Sequence, residues 1–490
     1  MKWQHFILVL GLNSLVFSVH AVGLLNQTVD TALLAKCLDH SQTAVSIVSL
    51  PRGEQVYSYN TYTPLLPAST LKVVTTAASL DYLSPEFRFH TGIYHTGQRS
   101  GSTIDGDLII KGGGDPKLTA ENLWRVAEQL KDSGVDLVTG RLVYDLSFFD
   151  GLDKAPAWEE VRSQRAYDAK LSALSLNFNT ITVHALPLIP GQPLKIWLEP
   201  APRYIQIINK TRTSSTSKNT ISAKRGITEN GKTYIKIVGR LSHQADEKTI
   251  RLNVLNPSRY AAESFRNILA ETGIQVVGQT LRSTTPKSAK LLYTHSSEPL
   301  SLILKELNTF SNNFIAEQIV KTMAAKQTGE PGSHAQGLQL VANFLRESGV
   351  HTKGLILADG SGLSRRNRFT AQAMTDLLAD IYPRFDIGPD FLASLRVMGA
   401  NGVHSKRLAN SPAKAKIRAK TGTLRKVSTL TGYVPSQTGD LYAYALFLNN
   451  NRCGYRGADK IEDKIVNAIY QYGGRSMYSA NRSSSTNSMQ

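Results

Sequence analysis

The stretch Pro67-Ala68-Ser69-Thr70-Leu71-Lys72 decides how the rest of this 490-residue chain is read. A proline, a small polar residue and then apolar positions at Leu71, Val74 and Ala78 mark a helix that opens at or near Ser69. Positions i and i+3 lie on one face of a helix, so the Lys72 amine is expected beside the Ser69 hydroxyl. A free serine hydroxyl is a weak nucleophile and needs an adjacent base. An amine serves as that base only when neutral, which requires burial or neighbouring positive charge. The helix N-terminus adds partial positive charge close by. The Ser-x-x-Lys spacing recurs at Ser215/Lys218 and Ser411/Lys414, but only Ser69 opens an apolar helix. Taken alone, the pair reads first as a helix cap beside a surface lysine.

Two further stretches supply partners. Lys420-Thr421-Gly422-Thr423 occurs once, just before apolar alternating segments at the end of the chain. A Lys-Thr-Gly strand offers an ammonium and a hydroxyl to a carboxylate, and its glycine lets another backbone approach. Ser311-Asn312-Asn313 opens another helix, where its hydroxyl and amide can bridge a base and a substrate. Ser-x-Asn is common in this chain; order and context select Ser311.

Ser-x-x-Lys, Ser-x-Asn and Lys-Thr-Gly in that order resemble the signature of penicillin-binding proteins and serine β-lactamases. The long gap between Ser69 and Ser311 is similar to that of the class C, type-4 D-alanyl-D-alanine carboxypeptidases/endopeptidases, which insert extra domains there. Gly106-Asp107-Leu108, Gly113-Gly114-Asp115-Pro116, Ser172-Ala173-Leu174 with Asn177 and Asn179, and Asp359-Gly360-Ser361-Gly362-Leu363-Ser364-Arg365 also match that family. The resemblance runs from about residue 25 to 473. It implies a serine enzyme that cleaves D-alanyl-D-alanine bonds of peptidoglycan stem peptides and is acylated by β-lactams. Ser69 is then the nucleophile, Lys72 its base, and Ser311 the relay to the leaving amine. Asn313 positions the substrate amide. Lys420 and Thr421 hold the terminal carboxylate beside Gly422, and the N–H of Thr423 joins that of Ser69 in an oxyanion hole. Arg365 is either a second anion contact or a structural arginine in its turn. No metal or cofactor is implied. A β-lactamase or esterase with the same motifs, and a non-enzymatic wall-binding protein, are the rival readings.

The sequence departs from the family at several points. Lys170 stands where relatives have proline, Thr423 replaces a commoner serine, and Arg425 replaces an uncharged polar residue. Glu159 and Glu160 follow Trp158 where relatives carry an aspartate thought to face the substrate side chain. These changes bear on peptide preference rather than on the bond-breaking chemistry.

Composition fits an exported wall enzyme. Apolar residues make up 41% and charged residues 19%, which excludes wholesale disorder. Lys2, the apolar run Phe6 to Phe17 and Val19-His20-Ala21 read as a secretory signal cleaved after Ala21. Export points to the periplasm or the cell wall. No later stretch is long and apolar enough for a membrane span. The net charge of +18 then suits an acidic polymer, and export makes nucleic acid an improbable partner. Cys37 and Cys453 lie near opposite ends of the chain, and a bridge requires those ends to pack together.

The expected fold is α/β: a transpeptidase-like catalytic domain, with an antiparallel sheet flanked by helices, and a nested β-rich insertion of one or two domains. Thr43–Leu50 and Gln55–Tyr59 read as a hairpin, and Val427–Val434 and Leu441–Leu448 as strands sharing its sheet. The catalytic domain is expected over 22–87 and 255–474, the insertion over 88–254, and a disordered tail over 475–490. The segment Asn209–Lys232, six basic residues against one acidic, is expected to be a solvated surface hairpin.

Overall fold

In the computed structural model, residues 24–158, 163–201, 204–229, 232–400 and 407–472 are described. The expected signal segment, Glu159, Glu160 and the expected tail from 475 lie outside them. The described chain divides into two compact units. Unit 1 comprises the chain up to Ala78, Leu304–Ser311 and the chain from Val341; unit 2 comprises Ser79–Ile303 and Asn312–Leu340.

Unit 1 is built on a six-stranded antiparallel sheet. Its order is Arg396–Val397, Arg418–Leu424, Val427–Pro435, Leu441–Leu448, Thr43–Ser49, Glu54–Tyr59. The opening hairpin therefore does share a sheet with the closing strands, Val45 facing Leu446 and Ile47 facing Tyr444. Side chains alternate across a strand. One face, with Val45, Ile47, Ala419, Leu430, Tyr444 and Leu446, packs against Leu25, Val29 and Leu33 and against Ile465 and Ile469. These come from the helix at 24–33 and the helix Gly454–Gln471, whose apolar residues recur at helical spacing. The other face meets helix Ala371–Ile381: Ser46 bonds Thr375 at 2.8 Å, and the Tyr433 hydroxyl donates to the Leu378 carbonyl at 2.8 Å. Because Ala419 points into the first core, Lys420 and Gly422 must alternate differently. Lys420 lies on the second face, opposite Thr431, and Gly422 lies opposite Thr429.

Cys37 and Cys453 form a disulfide, with Cα atoms 4.9 Å apart. It ties the segment after the first helix to the start of the last one, across a sequence separation of 416. Closing so long a loop strongly restricts the unfolded chain. Cys453→Ser is expected to lower stability by about 2–5 kcal/mol. A drop in the denaturation midpoint that reductant no longer deepens in the variant checks this.

Unit 2 holds a separate core. Helices Ala120–Asp132 and Pro257–Glu271 pack Leu123, Val126, Leu130, Phe265 and Leu269 together with Ile93, Leu108, Ile110 and Leu142. A capping box at Thr119 and an Asn256 cap with Pro257 at N1 start these two helices. The strands form one five-stranded, one four-stranded and two three-stranded sheets. The expected boundary at 254/255 falls inside this unit. Helix Pro257–Glu271 and the strands Gln275–Val276, Thr280–Arg282 and Lys290–Ser296 pair or pack with the expected insertion. The expected hairpin at 209–232 is also corrected. Gln206–Ser214 and Ser222–Ile227 do not pair with each other; both flank Thr233–Ser242, the first in parallel and the second antiparallel.

Asp115, within the Gly-Gly-Asp-Pro stretch, is buried in unit 2. Its Oδ1 accepts the Lys117 N–H at 2.7 Å, while its Oδ2 lacks a hydrogen-bond partner among the described residues. Burial pushes its carboxyl up to about 7. The unfolded carboxyl titrates near 4, so folding takes up a proton between roughly pH 4 and 7. That contribution to stability is full below the unfolded value and is lost as pH rises through 7. The unfolding midpoint should therefore fall by on the order of several degrees across that window. Asp115→Asn, which keeps the acceptor for Lys117, should flatten the fall; a thermal melt series from pH 4 to 8 measures it.

Candidate active site

Within unit 1, four sequence-selected groups converge. Ser69 sits in a one-turn 3-10 segment, Ala68–Thr70, that runs directly into helix Leu71–Leu83. Lys72, one turn on, is fully buried, and its Nζ donates to Ser69 Oγ at 3.1 Å. The same Nζ donates to the Ser361 carbonyl at 2.6 Å. That carbonyl belongs to a tight turn organised by buried Asp359. Its carboxylate accepts the N–H groups of Gly362 at 2.7 Å and Ser364 at 2.6 Å, and the Asn367 amide at 2.8 Å. The Thr75 hydroxyl pins the turn again through the Gly360 carbonyl at 2.6 Å. The sequence picks out Asp359–Arg365 only through resemblance. Its local work is to hold an acceptor against Lys72.

The strand Arg418–Leu424 brings Lys420 to the same place. Lys420 is buried, and its Nζ donates to Ser311 Oγ at 2.9 Å and to the Thr421 carbonyl at 2.6 Å. Burial, then the charges of Lys72 and Arg396, hold Lys420 well below the ordinary lysine range. An incoming carboxylate supplies the missing counter-charge and reverses that depression. Ser311 follows helix Leu300–Phe310 in a left-handed conformation, φ 56°. Asn308 anchors the helix end by donating to Thr76 at 3.0 Å and Ser394 at 3.1 Å, and Arg396 donates to the Thr309 carbonyl. Ala68, immediately before Ser69, is also left-handed at φ 46°. Non-glycine residues in this region cost roughly 1–3 kcal/mol each and gather where function requires a fixed geometry.

The strand and the Ser69 turn touch at Gly422. A Cβ on Gly422 would stand 2.2 Å from Thr429 Oγ1, 2.9 Å from the Ser69 nitrogen and 3.0 Å from the Pro67 carbonyl oxygen. Thr429 in turn donates to the Pro67 carbonyl at 2.8 Å, sewing the turn to the sheet. Thr429, Asn308 and Arg396 are site residues that the motifs do not reveal. Each acts through a carbonyl or a neighbour far away in sequence.

The remaining candidates have other settings. Thr423 is exposed at the end of the strand, opposite Ser428. Arg365 is exposed and donates to the Arg425 carbonyl at 3.4 Å, clamping the turn after that strand. Asn313 opens helix Asn313–Thr328 in unit 2, behind an Asn312 cap, and donates to the Tyr167 carbonyl at 3.2 Å. Lys170 pairs with Asp153 at 2.5 Å in the same unit.

A hydroxyl bonded to a buried amine, a second hydroxyl bonded to a second buried amine, and a strand packed against the backbone N–H of the first serine are the groups that serine acyl transfer requires. The chain belongs to the D-Ala-D-Ala carboxypeptidase 3 (S13) family, whose model matches residues 25–472. It is 32% identical over 465 residues to the D-alanyl-D-alanine carboxypeptidase of Actinomadura sp., covering 92% of this chain and 85% of that one. It is 28% identical over 454 residues to the D-alanyl-D-alanine carboxypeptidase DacB of Haemophilus influenzae, covering 90% and 93%. The crystal structure of penicillin binding protein 4 (dacB) from H. influenzae superposes with a TM-score of 0.77 at 26% identity, over 90% of this chain and 99% of that one. That protein has also been solved in complex with a β-lactam, a structure that matches with a TM-score of 0.71.

Proposed function

We propose that the chain is a serine D-alanyl-D-alanine carboxypeptidase, also able to act as a D,D-endopeptidase, working on peptidoglycan stem peptides through a Ser69 acyl-enzyme. The observation that carries this is the pair of contacts Lys72 Nζ to Ser69 Oγ at 3.1 Å and Lys420 Nζ to Ser311 Oγ at 2.9 Å, inside one unit. Ser69 Oγ attacks the carbonyl carbon of the penultimate D-alanine while neutral Lys72 takes its proton. The oxyanion is held by the N–H groups of Ser69 and Thr423. Ser311 relays the proton to the leaving amine as the C–N bond breaks. Lys420 and Thr421 hold the terminal carboxylate, and Arg365 supplies a second anion contact. Asn313 orients the substrate amide. Water then hydrolyses the ester and restores Ser69. Carboxypeptidase and endopeptidase action share this sequence, because both break a bond on the carbonyl side of D-alanine.

β-Lactams acylate the same hydroxyl. The chain acts outside the cytoplasm, in the periplasm or wall, with a cleaved leader at 1–21. Among the described residues no helix is long and apolar enough to cross a membrane.

Incubation with benzylpenicillin should add one penicilloyl mass, located on Ser69 by peptide mapping, and a D-Ala-D-Ala peptide should release D-alanine. Sustained nitrocefin turnover without D-alanine release points instead to a β-lactamase.

A further inference from the structure

The three-stranded sheet of unit 2 with order Gln206–Ser214, Thr233–Ser242, Ser222–Ile227 has two chemically opposite faces. One buries Thr211, Thr213, Ile235, Ile237 and Leu241. The other carries Lys210, Arg212, Lys224, Lys236 and Arg240, all five exposed. Register places Arg212 directly opposite Arg240 and Lys224 directly opposite Lys236. Lys210 follows two residues before Arg212 on the same face. No acidic residue occurs in these three strands, and none of the five cations forms an ion pair among the described residues.

Like charges directly opposite each other destabilise a sheet. A face that only needs solvation interleaves both signs. Two opposed like-charged pairs with no acid between them therefore mark a face that a polyanion covers. With strands roughly 4.8 Å apart and same-face residues roughly 7 Å apart, the five charges run as a diagonal band across the sheet.

The same face tells which polyanion. Tyr234 lies on it, and a Cβ on Gly226 would fall 2.6 Å from the Tyr234 ring. The ring thus lies over the glycine of the neighbouring strand, a flat aromatic surface beside the cations. The exposed isoleucines of these strands, Ile207 and Ile227, are on the opposite face by alternation, and the apolar residues of the basic face, Ile208 and Val238, are only partly exposed. A bilayer needs apolar and basic groups on one face. A sugar polymer bearing carboxylates needs an aromatic surface and basic groups together, which is what this face provides.

We infer that this sheet face is an exosite for the glycan and stem-peptide carboxylates of polymeric peptidoglycan, separate from the acyl-transfer site. The choice of polymer rests on the proposed activity; the anion-binding character of the face does not. The test compares the full chain with the variant K210Q/R212Q/K224Q/K236Q/R240Q. A second variant exchanges each Lys for Arg and each Arg for Lys. Binding is read by co-sedimentation with insoluble purified peptidoglycan at low and high salt, and activity by hydrolysis of that polymer and of a soluble D-Ala-D-Ala tripeptide.

The glutamine variant should bind the polymer at least about tenfold more weakly and cleave it correspondingly more slowly. Its tripeptide kcat/KM should match wild type, which also shows that it is folded. The exchanged variant should keep salt-sensitive binding. Equal sedimentation of wild type and the glutamine variant overturns the proposal. So does loss of binding in the exchanged variant, or wild-type binding to phosphatidylglycerol vesicles but not to peptidoglycan. If no form cleaves the tripeptide while the binding difference persists, the proposed activity fails and the exosite stands.

Discussion

Ser69→Ala should leave a folded protein that neither forms a penicilloyl adduct nor releases D-alanine above background. Losing the attacking atom of a concerted nucleophile and base costs on the order of 10⁶-fold in kcat. The alanine fits without strain, because Ser69 is only partly buried and its side chain supports no backbone group among the described residues. Thermal stability should therefore stay near wild type, within roughly 1 kcal/mol. The Lys72 amine keeps its bond to the Ser361 carbonyl, so its buried nitrogen retains a partner. Lys72→Ala differs. It removes the base and leaves the Ser361 carbonyl without that donor, so activity and stability should fall together. Intact-mass measurement after penicillin treatment, beside a melt, separates the two variants. A Ser69→Ala protein that still acquires one penicilloyl group would move the nucleophile elsewhere.

Gly422→Ala should disturb the acyl-transfer site directly, by wedging a methyl between the strand and the Ser69 turn. The new Cβ would need the space of Thr429 Oγ1, 2.2 Å away, and would press on the Ser69 nitrogen at 2.9 Å. Thr429 cannot rotate freely without giving up its bond to the Pro67 carbonyl, which anchors the Ser69 turn. Strand and turn must therefore separate. The separation displaces the Ser69 N–H from its place beside the strand. Removing one oxyanion donor costs roughly 10²–10³-fold in kcat. Acylation by penicillin should slow by about that factor, with overpacking of about 1–3 kcal/mol in stability. Gly422→Ala/Thr429→Ala removes the oxygen that the new Cβ meets while giving up the Pro67 bond; faster acylation than in Gly422→Ala alone would trace the defect to this contact. Unchanged acylation in Gly422→Ala would show that the strand yields without moving Ser69.

Ser69, Lys72, Ser311 and Lys420 were picked out by three short motifs in a fixed order. Only the Ser69 and Lys72 spacing at a helix start follows from a local rule; Ser311 and Lys420 were chosen by order and context. The shared sheet of first and last strands was legible too, from two apolar alternating pairs. What escaped depends on distant partners. The Ser361 carbonyl meets Lys72 only because Asp359 folds its turn. Thr429 matters only because it lies opposite Gly422 in register. Helix Pro257–Glu271 looks like any amphipathic helix, and nothing in its periodicity says that its apolar side completes the core around Ile93 and Leu142. The basic segment at 209–232 carried turn-like composition, but a parallel pairing to a later strand leaves no local signature.

The pairing of Thr43–Ser49 with Leu441–Leu448 has a consequence for how the protein comes together. The first strand waits for a partner about 400 residues away, across all of unit 2. Contacts of that separation form late, because the closure entropy must be met before they repay it. Unit 2, whose contacts are nearer in sequence, can fold while the first strand still has an open edge. Every residue of Thr43–Ser49 is buried in the finished sheet, with Ala44 and Val48 on one face and Val45 and Ile47 on the other. During that interval this strand is the segment a holdase or a neighbouring chain would most readily bind. The bond between Cys37 and Cys453, just outside the two long-range partners in sequence, latches that closure once it is made.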